Sequence, residues 1–300
     1  MRLVHSAAYE INIGPHVWPT AKYRLVKERL APRDGAFVFS EPVPATWEDL
    51  SLVHFPSYLD KLRDCSLTPD EIAKLEIPWT ARIAAGFLTM AGGTIDAARL
   101  ALQDGVAMHL GGGLHHAFPG HGEGFCPVND IAVAIRVMQR EGHITRAAVI
   151  DCDVHQGNGT AVCFASDADV FTFSIHQEHN YPSWKPPSDL DIGVRDRTTD
   201  GEYLEQLQEG IEAVEAHRPQ LVVYVAGADP FQEDQLGGLS LTKDGLRRRD
   251  RAVLSAIRGA GVPVAIVLAG GYARKVEDTI DIHVATAEEA RACGFADLRI

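Results

Sequence analysis

Three residues of the chain have the types and the spacing of a metal site. Asp153 and His155 stand two positions apart in the segment DCDVHQGNG. At strand-like spacing, residues two apart point in the same direction, so both side chains can face one ion. A catalytic zinc takes three protein ligands and keeps one position open, and Asp229, in AGADPFQED, is the natural third ligand. The same ligands also suit iron(II) or cobalt(II), and DxDxH alone is as often an ordinary polar loop.

Two neighbouring histidines could supply acid–base chemistry beside such an ion. His115 and His116 follow three glycines, which let a backbone turn sharply or run close to a ligand. Hydrolysis of an amide needs a base that takes a proton from water and an acid that protonates the departing amine. Asp151 is a candidate partner for one histidine and Asn158 for the other, because such partners fix the tautomer and the basicity of an imidazole. Asp151 could alternatively be taken for a metal ligand.

Tyr272 is the candidate oxyanion donor. It follows Gly270 and Gly271 after an apolar segment, and its hydroxyl could donate a hydrogen bond to the oxygen on which negative charge develops. Taken alone, a tyrosine after a turn is more often a packing residue. The assignment therefore depends on the metal and histidine motifs elsewhere in the chain.

The elements that must position these residues alternate between short apolar strands and longer helices. Strands are predicted at 147–150, 170–175, 221–225 and 264–268, and more weakly at 106–110. Helices are predicted at 81–102, 130–140, 201–216 and 243–258. The alternation predicts a three-layer α/β/α fold with a mostly parallel central sheet. Each chemical motif follows one of these strands, so we expect them to meet in one site at the carboxyl ends of the strands.

Composition and charge exclude several classes of protein. The 300 residues are 46% hydrophobic and 23% charged, which is typical of a globular protein, and we expect one catalytic domain over residues 1–300. The formal charge of −13 argues against a nucleic-acid partner. The one basic run, RRRDR at 247–251, is expected to be a solvated helix face.

The cellular setting is also constrained by the sequence. The longest apolar runs are far shorter than the roughly 20 residues of a membrane span, and no leader sequence is recognisable, so we expect no membrane partner. The five cysteines are odd in number and include no CxxC pair. We therefore expect a reducing, cytoplasmic location without a disulfide framework.

Taken together, the motifs resemble the histone deacetylase family, within the arginase–deacetylase fold. The resemblance runs from about His5 to Ala285. Its carriers are GGGLHHAFPGHGEGFCPVNDIAVAI, IDCDVHQGNGTA, FSIHQ, YVAGADPFQEDQLGGLSLT and LAGGYA. The compact length and the segment AGGTIDAARLAL are most similar to the class IV-like, bacterial-type branch. The resemblance implies a zinc-dependent deacylase that hydrolyses the amide of an acyl-lysine, acetyl or longer.

The resemblance also implies roles for individual residues. His116 resembles the general base and acid, His115 its electrostatic partner supported by Asp151, and Tyr272 the oxyanion donor. Three side chains occupy the ligand positions for Zn²⁺, or alternatively Fe²⁺ or Co²⁺: Asp153, His155 and Asp229. Positions that match the substrate tunnel are Gly124, Phe125, Tyr181, Gly270 and Gly271. Positions that match a structural K⁺ site in many relatives are Asp151, Asp153 and Ser174.

The chain departs from the family pattern at a few positions. Many relatives carry Asp where Asn158 stands, so the support for the second histidine is uncharged here, and His116 should be less basic. The segment AFPGHGEGFC inserts His121 and Glu123, which we expect to be solvated loop residues rather than rim residues that touch substrate. The N-terminal part, with Lys22 and Arg24, matches only loosely.

Three alternatives to an acyl-lysine deacylase remain. An acetylpolyamine deacylase would use the same chemistry and an acidic rim, for which the candidates are Glu123, Glu178, Glu233 and Asp234. A module that binds acyl-lysine without cleaving it should have lost part of the catalytic set, which is present here. A binuclear arginase-like hydrolase needs further carboxylates where Gly157 and Phe231 stand. We therefore expect one ion, while the sequence leaves the oligomeric state open.

Overall fold

A single parallel sheet organises the molecule. The computed structural model describes residues 1–33 and 35–294. Within those residues, eight strands pair in the order β2-β1-β3-β8-β7-β4-β5-β6, and every pairing is parallel. The strands are β1 (Arg2–Val4), β2 (Val38–Ser40), β3 (Val106–His109), β4 (Ala147–Asp151), β5 (Val170–Gln177), β6 (Leu190–Val194), β7 (Val222–Val225) and β8 (Val264–Val267).

Helices cover the sheet in two groups. The helices are α1 (Lys22–Leu30), α2 (Trp47–Leu50), α3 (Pro56–Arg63), α4 (Pro69–Leu75), α5 (Ala81–Asp104), α6 (Asp130–Arg140), α7 (Asn158–Phe164), α8 (Asp200–His217), α9 (Lys243–Gly259) and α10 (Val276–Ala292). In one group, α5 packs against α3 and α6, and α6 packs against α7. In the other group, α8 packs against α9, α9 against α10, and α10 against α1. The three-layer α/β/α architecture is therefore confirmed, and it is of the arginase–deacetylase type.

The complete burial of the central strands explains why they could be predicted from the sequence. Every residue of β3, β4, β7 and β8 is buried, as expected for parallel strands with helices on both faces. All five predicted strands and all four predicted helices are present, with ends that differ by at most two residues. The sequence analysis did not predict the outer strands β1, β2 and β6, which are short or partly exposed and lack a continuous apolar run.

The prediction for the basic run at 247–251 was wrong for its central residue. Arg249, in α9, is fully buried and donates hydrogen bonds to the carbonyl oxygens of Gly227 at 2.6 Å and Cys152 at 3.2 Å. Its guanidinium also pairs with Asp250 at 2.8 Å. The run lies on a helix that packs inward at this position, so Arg249 faces the ends of β4 and β7 rather than solvent.

Two further properties bear on the expected setting of the protein. All five cysteines are free thiols. Among residues 1–33 and 35–294, no helix combines the length and the apolar character that crossing a membrane requires.

Candidate metal centre and catalytic site

Four adjacent strands deliver the chemical motifs to one place. In the order β3-β8-β7-β4, each strand hydrogen-bonds to the next, and each ends at the same edge of the sheet. The histidine pair follows β3, Tyr272 follows β8, Asp229 follows β7, and Asp153 follows β4. Parallel pairing thus brings together segments that lie more than 150 positions apart in the chain.

The three predicted metal ligands form one buried cluster. Ligand atoms of Asp153, His155 and Asp229 all lie within 4.8 Å of one another. The His155 Nδ1 is 3.1 Å from Asp153 Oδ1 and 3.4 Å from Asp229 Oδ2. The other carboxylate oxygens are anchored by backbone, since Gly270 N–H donates to Asp153 at 2.8 Å and Val154 N–H donates to Asp229 at 2.9 Å. Asp229 Oδ2 is buried and accepts no hydrogen bond.

This cluster fits a divalent cation. Burial and the neighbouring Asp153 carboxylate raise the pKa of Asp229 to about 7. Burial alone would lower the pKa of His155, but the hydrogen bond with Asp153 and the close carboxylates of Asp153 and Asp229 raise it to about 10. Both shifts show that two buried carboxylates require a positive charge beside them. Two carboxylates and one imidazole are a ligand set that zinc and related ions accept.

The side chains around this cluster provide ligands for one ion and not for a second. Among the residues described, the three ligands are the one group of His, Cys, Asp and Glu side chains with metal-binding spacing. Phe231 is buried and apolar, and a side chain added at Gly157 would meet Asp151. Neither position supplies a ligand for a second ion, which disfavours an arginase-like binuclear site.

The two histidines lie side by side but have different partners. Their ring centres are 4.1 Å apart. His115 Nδ1 is 2.7 Å from Asp151 Oδ2, whereas His116 Nδ1 is 2.7 Å from Asn158 Oδ1. Burial would lower the pKa of His115, but Asp151 and the nearby Asp153 raise it to about 9. Burial and the charges of His115 and His155 hold the pKa of His116 well below its ordinary value.

Tyr272 is positioned by its backbone. Its N–H donates to Asp234 Oδ2 at 2.7 Å, and the preceding segment is held by the buried Lys22, whose Nζ donates to the Ala269 carbonyl at 2.8 Å. Ala269 has a φ of 51°, a left-handed conformation that this hydrogen bond helps to maintain. Burial and the carboxylates of Asp229 and Asp153 raise the pKa of Tyr272, so its hydroxyl stays protonated and can donate.

A cavity of about 210 Å³ joins these groups. The predicted site residues that line it are His115, His116, Gly124, Phe125, Asp153, His155, Tyr181, Gly270 and Tyr272. Asp151 and Asn158 lie behind the histidines they contact. Gly271 is not a lining residue, and a side chain added there would point at Thr279 and Ala228. Ser174 pairs in register with Asp151 across β4 and β5, with its Oγ 2.9 Å from His176 Nδ1.

Sequence reasoning missed part of the cavity wall. Trp18 and Phe125 stack with ring centres 6.2 Å apart, and Trp18 comes from an N-terminal loop without strand or helix periodicity. Glu76 ends α4 in a left-handed conformation with a φ of 61°. Neither residue follows a predicted strand, so the signal that located the other site residues does not apply to them. The other lining residues outside the prediction include Tyr23, Asn180 and Leu236.

The acidic candidates for the rim are placed differently from the prediction. Among Glu123, Glu178, Glu233 and Asp234, none is a lining residue of the cavity. Asp234 is buried, and its carboxylate accepts hydrogen bonds from three backbone N–H groups. Glu178 and Glu233 are exposed and lie outside the cavity lining. Glu76 is the glutamate that lines the cavity.

The expectation of a solvated loop was wrong for Glu123, whereas His121 keeps 35% of its side chain exposed. His121 stacks on Phe118 with ring centres 4.5 Å apart. Glu123 keeps only 19% of its side chain exposed, and its Oε1 accepts hydrogen bonds from Asn158 Nδ2 at 2.7 Å and from the Tyr181 hydroxyl at 3.0 Å. The loop turns inward because Gly124 and Phe125 adopt positive φ values of 52° and 67°.

Comparisons with known proteins identify the family and support the fold. Residues 16–287 match the histone deacetylase domain family. An uncharacterised protein of Picosynechococcus sp. is 43% identical over 274 residues, covering 89% of this chain and 90% of that protein. Histone deacetylase 2 of Arabidopsis thaliana is 31% identical over 300 residues, covering 93% of this chain and 77% of that protein.

A solved structure supports the fold alone. The crystal structure of acetylpolyamine aminohydrolase from Burkholderia pseudomallei superposes with a TM-score of 0.82 at 20% identity, over 98% of this chain and 99% of that chain. The match to the domain family covers most of the chain, and the relatives are similar over nearly its whole length. The chain therefore belongs to the histone deacetylase family, whose arginase–deacetylase fold it shares.

Proposed function

We propose that the protein is a zinc-dependent deacylase that hydrolyses the amide of an acyl-lysine, with Fe²⁺ or Co²⁺ as alternative ions. One observation carries the proposal: two of the three clustered ligands, Asp153 and His155, line one cavity together with a histidine that has a free ring nitrogen and a protonated tyrosine, while Asp229 lies buried behind them. When bound at Asp153, His155 and Asp229, the ion polarises a carbonyl group and makes water more acidic.

The remaining chemistry belongs to side chains of this chain. His116 is neutral at neutral pH and engages Asn158 through Nδ1, so Nε2 is the atom that accepts a proton from the attacking water. The same atom returns that proton to the departing amine. His115, paired with Asp151, carries the positive charge of the dyad. Tyr272 donates a hydrogen bond to the oxyanion of the tetrahedral intermediate. The products are a carboxylate and a free amine.

The shape of the cavity supports an acyl substrate. Aromatic side chains of Trp18, Phe125 and Tyr181 line it beside the catalytic groups, and Leu236 adds a further apolar wall. Such a lining favours an apolar group such as acetyl or a longer fatty acyl chain.

We also propose a structural K⁺ near Asp151, Asp153 and Ser174. We further propose that residues 1–300 form one catalytic domain and that the protein is cytoplasmic.

A specific observation favours a second candidate, an acetylpolyamine. Glu76 offers a carboxylate in the cavity lining, and such a group could bind a second cationic amine of the substrate. The formal charge of −13 would also draw a cationic substrate towards the protein. The chemistry at the cluster would be the same, so the two candidates differ only in the amine that carries the acyl group.

A substrate panel tests the proposal. We would measure hydrolysis of matched acetyl-lysine peptide, long-acyl-lysine peptide and acetylpolyamine by the zinc-loaded protein, with Asp153→Ala as the inactive variant. The exposed Asp169→Ala is the matched control, since it removes a carboxylate outside the site. We expect turnover of an acyl-lysine peptide that Asp153→Ala abolishes and Asp169→Ala preserves.

Other outcomes of the panel would change the conclusion. A preference for acetylpolyamine would favour the second candidate, and Glu76→Gln should then raise KM for that substrate selectively. No turnover by a protein with one bound ion would contradict the deacylase proposal and point to a module that binds acyl groups without cleaving them.

A further inference from the structure

A hydrogen-bond chain continues behind His116 beyond its immediate partner. His116 Nδ1 is 2.7 Å from Asn158 Oδ1, and Asn158 Nδ2 donates to Glu123 Oε1 at 2.7 Å. Asn158 is only 1% exposed, so its amide has no solvent to replace either contact. The chain links the ring that faces the cavity to a carboxylate on the opposite side of the amide.

The carboxylate determines which way the amide of Asn158 points. Ionised Glu123 can only accept hydrogen bonds, so Asn158 must present its NH₂ group to it. Asn158 Oδ1 then faces His116, and it also accepts the Gly159 N–H at 3.0 Å. An oxygen at this position requires a proton on His116 Nδ1. With that proton on Nδ1, the neutral ring carries its free electron pair on Nε2, the atom that must act as base.

Glu123 is built into its loop as a buried acceptor. Its Oε1 also accepts the Tyr181 hydroxyl at 3.0 Å, and its Oε2 lies 3.3 Å from His121 Nε2. Burial would raise the pKa of Glu123, but these hydrogen bonds and the one from Asn158 lower it, so the carboxylate stays ionised. The Tyr181 ring packs edge-on against His116 with ring centres 4.9 Å apart. Glu123 therefore hydrogen-bonds to two residues that both contact the His116 ring, Asn158 and Tyr181.

We propose that Glu123 is a positioning residue whose carboxylate fixes the amide of Asn158 and thereby the tautomer of His116 that serves as base. The inference rests on the proposed function for its catalytic consequence. Asn158 itself contributes no charge beside the histidine, and its amide oxygen contacts the ring. Here the negative charge lies one side chain further away and acts through the polarised amide.

The test moves the carboxylate charge from position 123 to position 158. We would compare the zinc-loaded wild type with Glu123→Gln, Asn158→Asp and the double variant. Glu123→Gln keeps the shape but frees the amide to reverse, so kcat should fall on the order of 10- to 100-fold, the range typical of outer partners, with little change in KM. Asn158→Asp alone places two carboxylates at the distance of a hydrogen bond and should also lower kcat.

The double variant makes the prediction specific. With glutamine at 123, an aspartate at 158 can accept from His116 without facing a second carboxylate. The substitution Asn158→Asp should therefore raise kcat in the Glu123→Gln background although it lowers kcat in the wild type. Glu212→Gln, on the exposed face of α8, is the matched control and should keep the wild-type rate. A merely structural role for Glu123 would make the two losses accumulate, which would overturn the proposal.

A second measurement does not need a substrate. In ¹⁵N NMR of the zinc-loaded protein, His116, assigned by its loss in His116→Gln, should show a protonated Nδ1 and an unprotonated Nε2. Glu123→Gln should shift this signal towards a mixture of tautomers. An unchanged Nδ1–H signal in Glu123→Gln would refute the inference even if the enzyme is active. If the wild type hydrolyses nothing in the substrate panel but Glu123→Gln still shifts the His116 signal towards a mixture of tautomers, the proposed function fails and the positioning role stands.

Discussion

At the scale of single residues, different hydrogen-bond partners give two neighbouring histidines opposite pKa shifts. His115 contacts the carboxylate of Asp151, and its pKa is raised to about 9. His116 contacts an amide, and burial beside two other imidazoles holds its pKa well below the ordinary value. At neutral pH one ring is thus a cation and the other a free base, although they lie only 4.1 Å apart. In the proposed mechanism, this separation of pKa values assigns the role of base to His116 and the positive charge to His115.

The hydroxyl of Tyr272 should matter for the rate and not for the fold. Tyr272→Phe removes the proposed oxyanion donor, and we expect kcat to fall on the order of 100-fold or more, with the bound ion retained. Steady-state kinetics on the preferred acyl substrate and metal analysis would check this. Tyr203→Phe is the matched control, because that tyrosine is also fully buried but lies outside the cavity. A Tyr272→Phe enzyme with the wild-type rate would remove Tyr272 from the mechanism.

At the scale of elements, buried cations hold the loops that follow the strands. Where a strand ends, its backbone carbonyls lose their partners in the sheet and need other donors. Lys22 from α1 donates to Ala269 after β8, and Arg249 from α9 donates to Gly227 after β7 and Cys152 after β4. Helices of the outer layer therefore fix the backbone of three of the four strand exits that carry the site.

The burial of Arg249 gives a testable consequence for stability. Arg249→Met leaves buried carbonyls without donors and Asp250 without its cation, so we expect a loss of about 3–5 kcal/mol in the free energy of unfolding. Arg248→Met is the matched control on the same helix, where exposed ion pairs with Asp200 and Asp244 contribute about 0–1 kcal/mol. Denaturant unfolding of both variants would check this. Equal stabilities would show that Arg249 does not anchor the strand exits.

At the scale of the whole molecule, the ion would cross-link two strands. Asp153 and His155 follow β4 and Asp229 follows β7, so a shared ion joins neighbouring strands that are distant in the chain. Binding to the folded state alone raises stability by about 2.7 kcal/mol when the free ion is about 100 times Kd. For a chain of this length that corresponds to a rise in Tm of roughly 5 °C.

This stabilisation should depend on pH. In the ion-free protein the pKa of His155 is raised to about 10, and the ion needs the neutral ring, so binding displaces a proton below that pH. The stabilisation free energy that the ion adds, and with it the difference in Tm, should therefore grow from pH 6 to pH 8 at fixed free ion. The His155 proton alone contributes about 1.4 kcal/mol per pH unit, and the slope should be steeper below pH 7, where Asp229 must also lose a proton. Thermal unfolding in metal-buffered solutions would measure it. Asp229→Ala should show no such shift, and a pH-independent difference in the wild type would contradict the assignment of His155.

The class of fold, the central strands and the positions of the chemical motifs after them could all be predicted from the sequence. Those features are local, because a buried strand is a continuous apolar run and its polar exit comes next in the chain. Asp153, His155 and Asp229 could be singled out in this way, and the structure brings their ligand atoms within 4.8 Å. The resemblance to the histone deacetylase family added roles that spacing alone does not supply.

The remote groups that complete the site are recognisable only in the folded protein. Trp18 and Glu76 reach the cavity from outside the sheet, Glu123 turns inward behind Asn158, and Arg249 is buried in a run of charged residues. No local pattern marks these positions, because their surroundings are made by segments far away in the chain. A glutamate in a loop has the same sequence signature whether it faces water or an amide, and packing alone distinguishes the two.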